Sequence, residues 1–310
     1  MIEQSVAKCL SFHAAYRCRQ SGACCSAGWT IPFDAVELQT VGALSLAAGT
    51  IQQTPTGGSA LLERGRCTFL ERDASGTHAC EIHRVGGHAA LPLTCRMFPR
   101  IVLHDIRGTF ISLSHFCPTA MSMLFDEGPP VAIVDAPAAL AGSDPLDGLN
   151  AREVWPPLLR PGLMMDLDSY DTWERLAVEL LTREGVPPRA SLDGLEAAVA
   201  SISAWTPAGG VPLEHVVRDA FGRIAPATAA LAAFEPAVKR WLAARLFGTW
   251  LAYQGDGLLT IVRYLRACFD VFTVELARDG QAREAIRRAD HLIVHESSSQ
   301  QLANLLNDRS

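Results

Sequence analysis

The feature that most constrains this sequence is the position of its cysteines. The chain has 310 residues and nine cysteines, and eight of the nine lie between Cys9 and Cys117. An even spread would put fewer than half of them there. The same stretch is rich in Gly, His and short apolar runs, so we predict a distinct cysteine-rich N-terminal segment.

Seven of these cysteines are candidate metal ligands. A metal-bound sulfur must be a thiolate, and burying several thiolates without a cation is prohibitively costly. Four thiolates suit either tetrahedral zinc or an iron–sulfur cluster. Seven sulfurs exceed one zinc site, so an iron–sulfur cluster is the leading hypothesis and zinc the alternative. The candidates are Cys18, Cys24, Cys25, Cys67, Cys80, Cys95 and Cys117.

The simpler explanation for any single cysteine is a buried, inert thiol, because free Cys is a common core residue. We apply that explanation to Cys9 and to Cys268, which lies in the apolar stretch Leu258–Ala277. For seven cysteines clustered in polar and Gly-rich contexts, we favour metal binding.

A few other side chains could take part in a site. His83 follows Cys80 by three positions and is the best non-sulfur ligand candidate, with a structural hydrogen-bonded role as the alternative. His291 and His295 have the i, i+4 spacing that can grip zinc on a helix, but they lack a third ligand. Arg96 and Arg100 could bind a carboxylate, for instance the amino-acid end of a cofactor.

Charge and hydropathy exclude some partners. The net charge is −6, which does not favour a nucleic-acid partner. No apolar run reaches the length of a transmembrane helix or a signal peptide. We therefore predict a cytoplasmic protein with reduced thiols, in which a cysteine cluster indicates metal or catalysis rather than disulfides. The sequence leaves the oligomeric state open.

The predicted fold is mainly α, with an irregular, metal-organised, cysteine-rich N-terminal lobe (1–125) and a helical C-terminal lobe (166–310). Pro and Gly in residues 126–165 indicate a surface connection. In the first lobe we expect one helix, capped by Asp34, and short strands at Ile101–His104 and Thr109–Leu113. Helical periodicity predicts the later helices at 169–184, 191–205, 212–224, 235–253, 258–277 (capped by Asp256), 282–295 and 300–306.

The cysteines also lie in specific local motifs: Tyr16-Arg17-Cys18, Gly22-Ala23-Cys24-Cys25, Cys67-Thr68-Phe69-Leu70, Cys80-Glu81-Ile82-His83, Cys95-Arg96-Met97-Phe98-Pro99-Arg100 and His115-Phe116-Cys117-Pro118. Over about residues 16–120 this set resembles the YkgJ-type cysteine-cluster family of zinc- or iron-chelating domains. Within that family it is most similar to the flagellin lysine-N-methylase (FliB-like) branch. One departure is Ser21, which stands where the family has a second cysteine.

The resemblance implies a metal-binding protein that transfers methyl from S-adenosylmethionine to lysine of a protein such as flagellin. The chain shows neither a Gly-x-Gly-x-x-Gly cofactor turn nor the cysteine spacing of radical S-adenosylmethionine enzymes. The sequence therefore identifies no catalytic residue. Two other classes stay open: a non-catalytic zinc- or iron-binding structural module, and a thiol-based metal-handling or redox-sensing protein.

Overall fold

The computed structural model describes residues 6–46, 49–72, 78–142, 146–154, 156–225 and 229–296. It is about 49% helical and 16% strand. The chain forms two compact units. The large unit comprises Met1–Tyr16, Ile101–Phe116 and Ala120–Ser310, and the small unit comprises Arg17–Arg100 and Cys117–Thr119.

The strands in the described ranges are short. They are β1 (Lys8–Leu10), β2 (Pro32–Phe33), β3 (Ile51–Thr54), β4 (Gly57–Ala60), β5 (Leu62–Glu63), β6 (Arg66–Cys67), β7 (Leu70–Arg72), β8 (His78–Cys80), β9 (Arg100–Asp105), β10 (Gly108–Leu113), β11 (Ile133–Asp135), β12 (Leu149–Asn150), β13 (Leu158–Arg160) and β14 (Leu163–Met164).

The α-helices are longer in the second half of the chain. They are α1 (Ala35–Gly42), α2 (Glu81–Gly86), α3 (Leu93–Met97), α4 (Pro118–Met123), α5 (Ala138–Ala141), α6 (Leu167–Thr182), α7 (Pro188–Ser203), α8 (Leu213–Gly222), α9 (Glu235–Leu246), α10 (Leu258–Asp279) and α11 (Ala282–His291). A π-helical turn, Leu292–Glu296, follows α11. No helix in the described part of the chain combines the length and the apolar character needed to cross a membrane.

A five-stranded sheet in the order β11-β1-β10-β9-β12 belongs to the large unit. β1 is parallel to β10, with Cys9 opposite Ile111, and antiparallel to β11. β10 is buried along its whole length, as expected for a strand covered on both faces. The parallel pairing brings the carboxyl ends of β1 and β10 to the same edge of the sheet.

The helices α6 to α11 contribute most of the apolar core of the large unit. On α9, the side chains of Val238, Trp241, Leu242 and Leu246 are fully buried, as the helical spacing predicts. Burying a side chain of this kind contributes about 1.5–3 kcal/mol relative to leaving it exposed. The core of this unit therefore derives its stability mainly from apolar side chains on helices.

A buried ion cluster joins the β9–β10 hairpin to α6. The Arg107 guanidinium donates to Asp105 Oδ2 at 2.7 Å and to Glu174 Oε2 at 2.9 Å. It also lies 4.3 Å from the ring centroid of Phe110 and 4.5 Å from that of Tyr170. One cation and two carboxylates are buried together, so the attraction among them has to offset the cost of removing each charge from water.

The small unit has an apolar core of its own. Phe33, Phe69 and Ile82 are buried together with Cys25 and Cys67. Its described residues form three small sheets, β2-β4-β3, β5-β6 and β7-β8.

The predicted fold class is therefore wrong in its description of the N-terminal half. In the described part of the chain, no group of three or more His, Cys, Asp or Glu side chains is arranged to hold a metal ion. Short sheets and an apolar core organise the small unit instead. The sequence concealed them because strands of two to four residues are too short to show a clear alternation of apolar and polar positions.

Candidate functional site

All seven cysteines predicted as metal ligands lie in the small unit. Cys9 and Cys268, which we assigned to the core, are buried in the large unit. The nine cysteines are all free thiols. The folded chain thus separates the candidate ligands from the two remaining cysteines.

Three thiols form the centre of the candidate site. Cys24 and Cys25 lie on one turn of 3₁₀ helix, with their Sγ atoms 4.0 Å apart. Cys80 is the last residue of β8 and the N-cap of α2. Hydrogen bonding to Cys24 and to Cys80, together with burial, raises the pKa of the Cys25 thiol well above its ordinary value.

The pKa values of the other two thiols, Cys24 and Cys80, shift in the opposite direction. Hydrogen bonding from Cys25 lowers the pKa of Cys24. It also lowers the pKa of Cys80 to about 7, assisted by the backbone N–H groups of His83 and Ile82. Of the three thiols, Cys25 therefore holds its proton most tightly, and the shifts at Cys24 and Cys80 are toward the thiolate, which is the form that binds metals.

Two more thiols surround this centre. Burial raises the pKa of Cys67 on β6, and the charges of Cys80 and Cys24 raise it further. Burial likewise raises the pKa of Cys95 on α3, and the same two thiolates add to the shift. Cys25 and Cys67 belong to one buried core, and Cys24, Cys80 and Cys95 pack against it, so the five thiols form one group.

A carboxylate fixes the helix that carries Cys95. Asp34 caps α1 by accepting from the Glu37 N–H, and Glu37 Oε2 accepts in return from the Asp34 N–H at 3.0 Å. The second oxygen, Oε1, accepts from the N–H of Leu93 at 2.6 Å, at the start of α3. One side chain thus completes a capping box and anchors a second helix.

The remaining predicted ligands have different environments. Cys18 is exposed and accepts a hydrogen bond from the Gln20 N–H at 3.4 Å. Cys117 is 6% exposed and directly precedes α4. His83 lies with its Nε2 3.4 Å from Gln20 Nε2, and burial lowers the pKa of its imidazole.

The two predicted cofactor-binding arginines contact the backbone. Arg96 donates to the carbonyl oxygens of Leu91 and Ala89, at 2.9 and 3.3 Å. Arg100 donates to the Arg96 carbonyl at 3.0 Å. These bonds fix the chain around α3, next to Cys95.

The five cysteines have the chemistry of a metal site, but they are not arranged as one. Five sulfurs, three of them in hydrogen-bonding contact, supply enough soft donors for zinc or for an iron–sulfur cluster. Among the residues that the structure describes, however, no three ligands are placed for coordination. Holding a metal would require the sulfurs to converge further.

A second polar cluster, which sequence analysis missed, lies in the large unit. His13 follows β1 and His115 follows β10, and their Nε2 atoms are 3.1 Å apart. Both side chains are fully buried. They meet because β1 and β10 are parallel neighbours, whose carboxyl ends share one edge of the sheet.

Asp290 on α11 organises the rest of this cluster. Its carboxylate accepts from Ser114 Oγ at 2.7 Å, from Trp241 Nε1 at 2.9 Å and from the Phe116 N–H at 3.2 Å. His295 Nε2 lies 2.8 Å from Ser114 Oγ. Because the hydroxyl proton goes to Asp290, His295 is the donor in this last bond.

The imidazoles of this cluster favour the neutral form. Burial lowers the pKa of His13 and of His115 well below the ordinary value, and the charge of Arg245 lowers both further. Burial lowers the pKa of His295 to about 4. Sequence analysis missed this cluster because its members are far apart in the chain; His13 and Asp290 are separated by 277 positions. The only local signal was the i, i+4 spacing of His291 and His295.

No protein-family model matches the chain, and neither a curated protein nor a solved structure matches it. The likeness to the YkgJ-type and FliB-like proteins therefore stays a prediction that depends on the cysteine motifs alone.

Proposed function

We propose that the small unit binds a metal through its cysteine thiolates, with Cys24, Cys25 and Cys80 as the first ligands. The observation that carries this proposal is the hydrogen-bonded contact among these three sulfurs. Cys67 and Cys95, which belong to or pack against the same core, are the further donors. A cation at this position would replace the shared proton and neutralise the thiolates, whose burial is otherwise costly.

Two kinds of metal suit this donor set for different reasons. The number of cysteines favours an iron–sulfur cluster, which uses four thiolates and leaves others as supporting groups. The distance between the Cys24 and Cys25 sulfurs favours a single zinc ion. Two thiolates about 2.3 Å from one tetrahedral zinc are about 3.8 Å apart, close to the 4.0 Å observed.

The motifs supply the rest of the proposal. By resemblance to the FliB-like branch, the metal-loaded protein is a cytoplasmic S-adenosylmethionine-dependent methyltransferase acting on lysine of a protein such as flagellin. Methyl transfer requires a neutral amine and a site that excludes water. The alternative is a module without catalysis, in which the metal joins β6, β8, α3 and the Cys24–Ser26 turn.

The metal part is tested on full-length protein purified without oxygen, by metal and sulfide analysis with an absorption spectrum. We expect stoichiometric metal in the wild type, and its loss in Cys80→Ser. Cys268→Ser is the control, because it removes a fully buried thiol from the large unit, away from the candidate site. Wild-type protein without metal would refute the proposal and leave thiol-based redox chemistry. Cys80→Ser protein that keeps the metal would refute the assignment of Cys80 as a ligand.

The methyltransferase part has its own assay. Metal-loaded protein is incubated with S-adenosylmethionine and flagellin, and methyl-lysine is measured by mass spectrometry. We expect methylation by the wild type and by Cys268→Ser, and none by Cys80→Ser. A metal-loaded protein that methylates no lysine would support the structural module instead.

A further inference from the structure

A cleft of about 220 Å³ opens on the surface of the large unit, between α10, α11 and the ring of Phe116. Phe116, His291 and Leu292 form one side of the cleft. The other lining residues are charged: Arg278, Arg287, Arg288, Glu275 and Glu284. Small-molecule pockets start at about 300 Å³, so this cleft can hold a ligand the size of an amino acid but no complete nucleoside cofactor.

The aromatic wall of this cleft is held in place. The Phe116 N–H donates to Asp290, and the Phe116 carbonyl accepts from Arg287 Nε at 3.1 Å. The ring lies 4.6 Å from the His291 ring centroid and 5.3 Å from the Arg287 guanidinium. A wall fixed at both ends of its backbone loses little entropy when a ligand packs on it.

The glutamates of the cleft are already neutralised. Glu275 is 2% exposed, and its two oxygens pair with Arg278 at 3.1 Å and with Arg288 at 2.7 Å. Glu284 accepts from Arg287 Nη1 with both oxygens. Arg288 also pairs with Asp279 at 3.1 Å, so the charges of the three arginines and their three carboxylates balance.

Two of the guanidiniums keep donors for a ligand. Within the described ranges, Arg287 Nη2 has no acceptor, and Arg278 makes a single contact, from Nη2 to Glu275. A guanidinium recognises a carboxylate by paired hydrogen bonds. The half-exposed carboxylate of Glu284, beside them, is an acceptor for an ammonium group.

We propose that this cleft binds an α-amino carboxylate, with the ligand carboxylate on Arg278 and Arg287, its ammonium group on Glu284 and its side chain against Phe116. The ligand is either a free amino acid or the amino-acid end of a larger molecule such as S-adenosylmethionine. Only the second source depends on the proposed methyltransferase function.

Calorimetric titration of the full-length protein tests this proposal with three probes: L-methionine, L-methioninol, which lacks the carboxylate, and S-adenosylmethionine. We expect L-methionine to bind and methioninol to bind at least tenfold more weakly. Arg278→Gln, at a largely exposed position that should not disturb folding, should weaken L-methionine binding by about tenfold. Arg175→Gln is the matched control, since Arg175 is also an exposed arginine paired with a glutamate.

The outcomes separate the two sources and the two proposals. Loss of both L-methionine and S-adenosylmethionine binding in Arg278→Gln assigns the cleft to the cofactor, and loss of L-methionine binding alone assigns it to free amino acids. Wild-type protein that binds no amino-acid probe, or binding that Arg278→Gln leaves unchanged, overturns the inference. Metal content and lysine methylation are measured in separate experiments. A protein that binds no metal or methylates no lysine can therefore still be shown to bind a free amino acid in this cleft.

Discussion

Cys80 is the residue whose local structure bears most directly on chemistry. Its sulfur lies at the N-terminus of α2, where two backbone N–H groups and the Cys25 thiol stabilise the thiolate. The sequence identified Cys80 as a candidate from residue type and motif alone. It could not show which of the seven cysteines converge, because that depends on the pairing of β5 with β6 and of β7 with β8.

The first prediction concerns alkylation of Cys80 in metal-free protein. With its pKa lowered to about 7, the thiol should react with iodoacetamide at a rate that rises through pH 7 and levels off near pH 8. Cys268, whose pKa burial raises to about 12, is the internal control and should stay unreacted. Mass spectrometry of the digested protein measures both sites, and equal rates at the two would contradict the prediction.

The second prediction concerns the buried Arg107. Arg107→Met keeps most of the side-chain volume but leaves Asp105 and Glu174 without their cation. Removing one partner of a buried ion pair costs about 3–5 kcal/mol. Urea unfolding should show a loss of that size in the free energy of unfolding, whereas the exposed Arg175→Met should change it by less than about 1 kcal/mol. A small loss for Arg107→Met would mean that water reaches the cluster.

At the scale of elements, helices were predictable and most strands were not. The helix predicted at 169–184 is α6, although Asp166 caps it and accepts from the Ser169 N–H. The strands predicted at Ile101–His104 and Thr109–Leu113 are confirmed within β9 and β10. Periodicity finds these elements because each carries enough apolar positions. The predicted helix at 300–306 lies outside the described residues.

One helix end and one N-cap differ from the prediction, and each involves a glycine. The helix predicted at 235–253 ends at Leu246, since Gly248 adopts a φ of 59° before the 3₁₀ turn Trp250–Tyr253. The start of α10 has Gly257 at its N-cap rather than Asp256. A Cβ at Gly248 would lie 2.7 Å from Phe110 Cβ. The packing of β10, which the local sequence does not reveal, sets this helix end.

The third prediction tests that explanation. Gly248→Ala should lower the free energy of unfolding by about 1–3 kcal/mol, because Ala has to adopt a left-handed backbone and contact Phe110. Gly222→Ala at the end of α8 is the matched control. A Cβ there meets nothing within 4 Å, and the better helix propensity of Ala should stabilise the protein by up to about 1 kcal/mol. Equal effects at the two positions would refute the packing argument.

At the scale of the whole molecule, the chain leaves the large unit after Tyr16 and returns to it at Ile101. Each unit is therefore built from segments that are separated along the sequence. The pairing of β1 with β10 joins residues about a hundred positions apart, and β1 is only three residues long. A single sequence offers no local signal for such a pairing.

The same pairing makes the stability of the large unit depend on pH. Burial holds the pKa of His13 and of His115 below the value of about 6.5 expected in the unfolded chain. Below pH 6.5 the unfolded state therefore binds more protons than the folded state, and stability falls as the pH falls. The stabilising contribution is fully present above pH 6.5. For the pair, the free energy of unfolding should drop by about 3 kcal/mol between pH 6.5 and 5.0.

Urea unfolding of Cys80→Ser protein measures this drop without interference from metal release. Tryptophan fluorescence reports mainly on the large unit, which holds five of the six tryptophans. The double variant His13→Gln, His115→Gln replaces the imidazoles by amides that do not titrate, so its stability should change by about 3 kcal/mol less over the same range. Parallel pH profiles of the free energy of unfolding, with and without the two histidine substitutions, would contradict the prediction. They would mean that His13 and His115 do not take up protons on unfolding. A flatter profile in the variant would show that stability responds to the two residues that the parallel strands bring together.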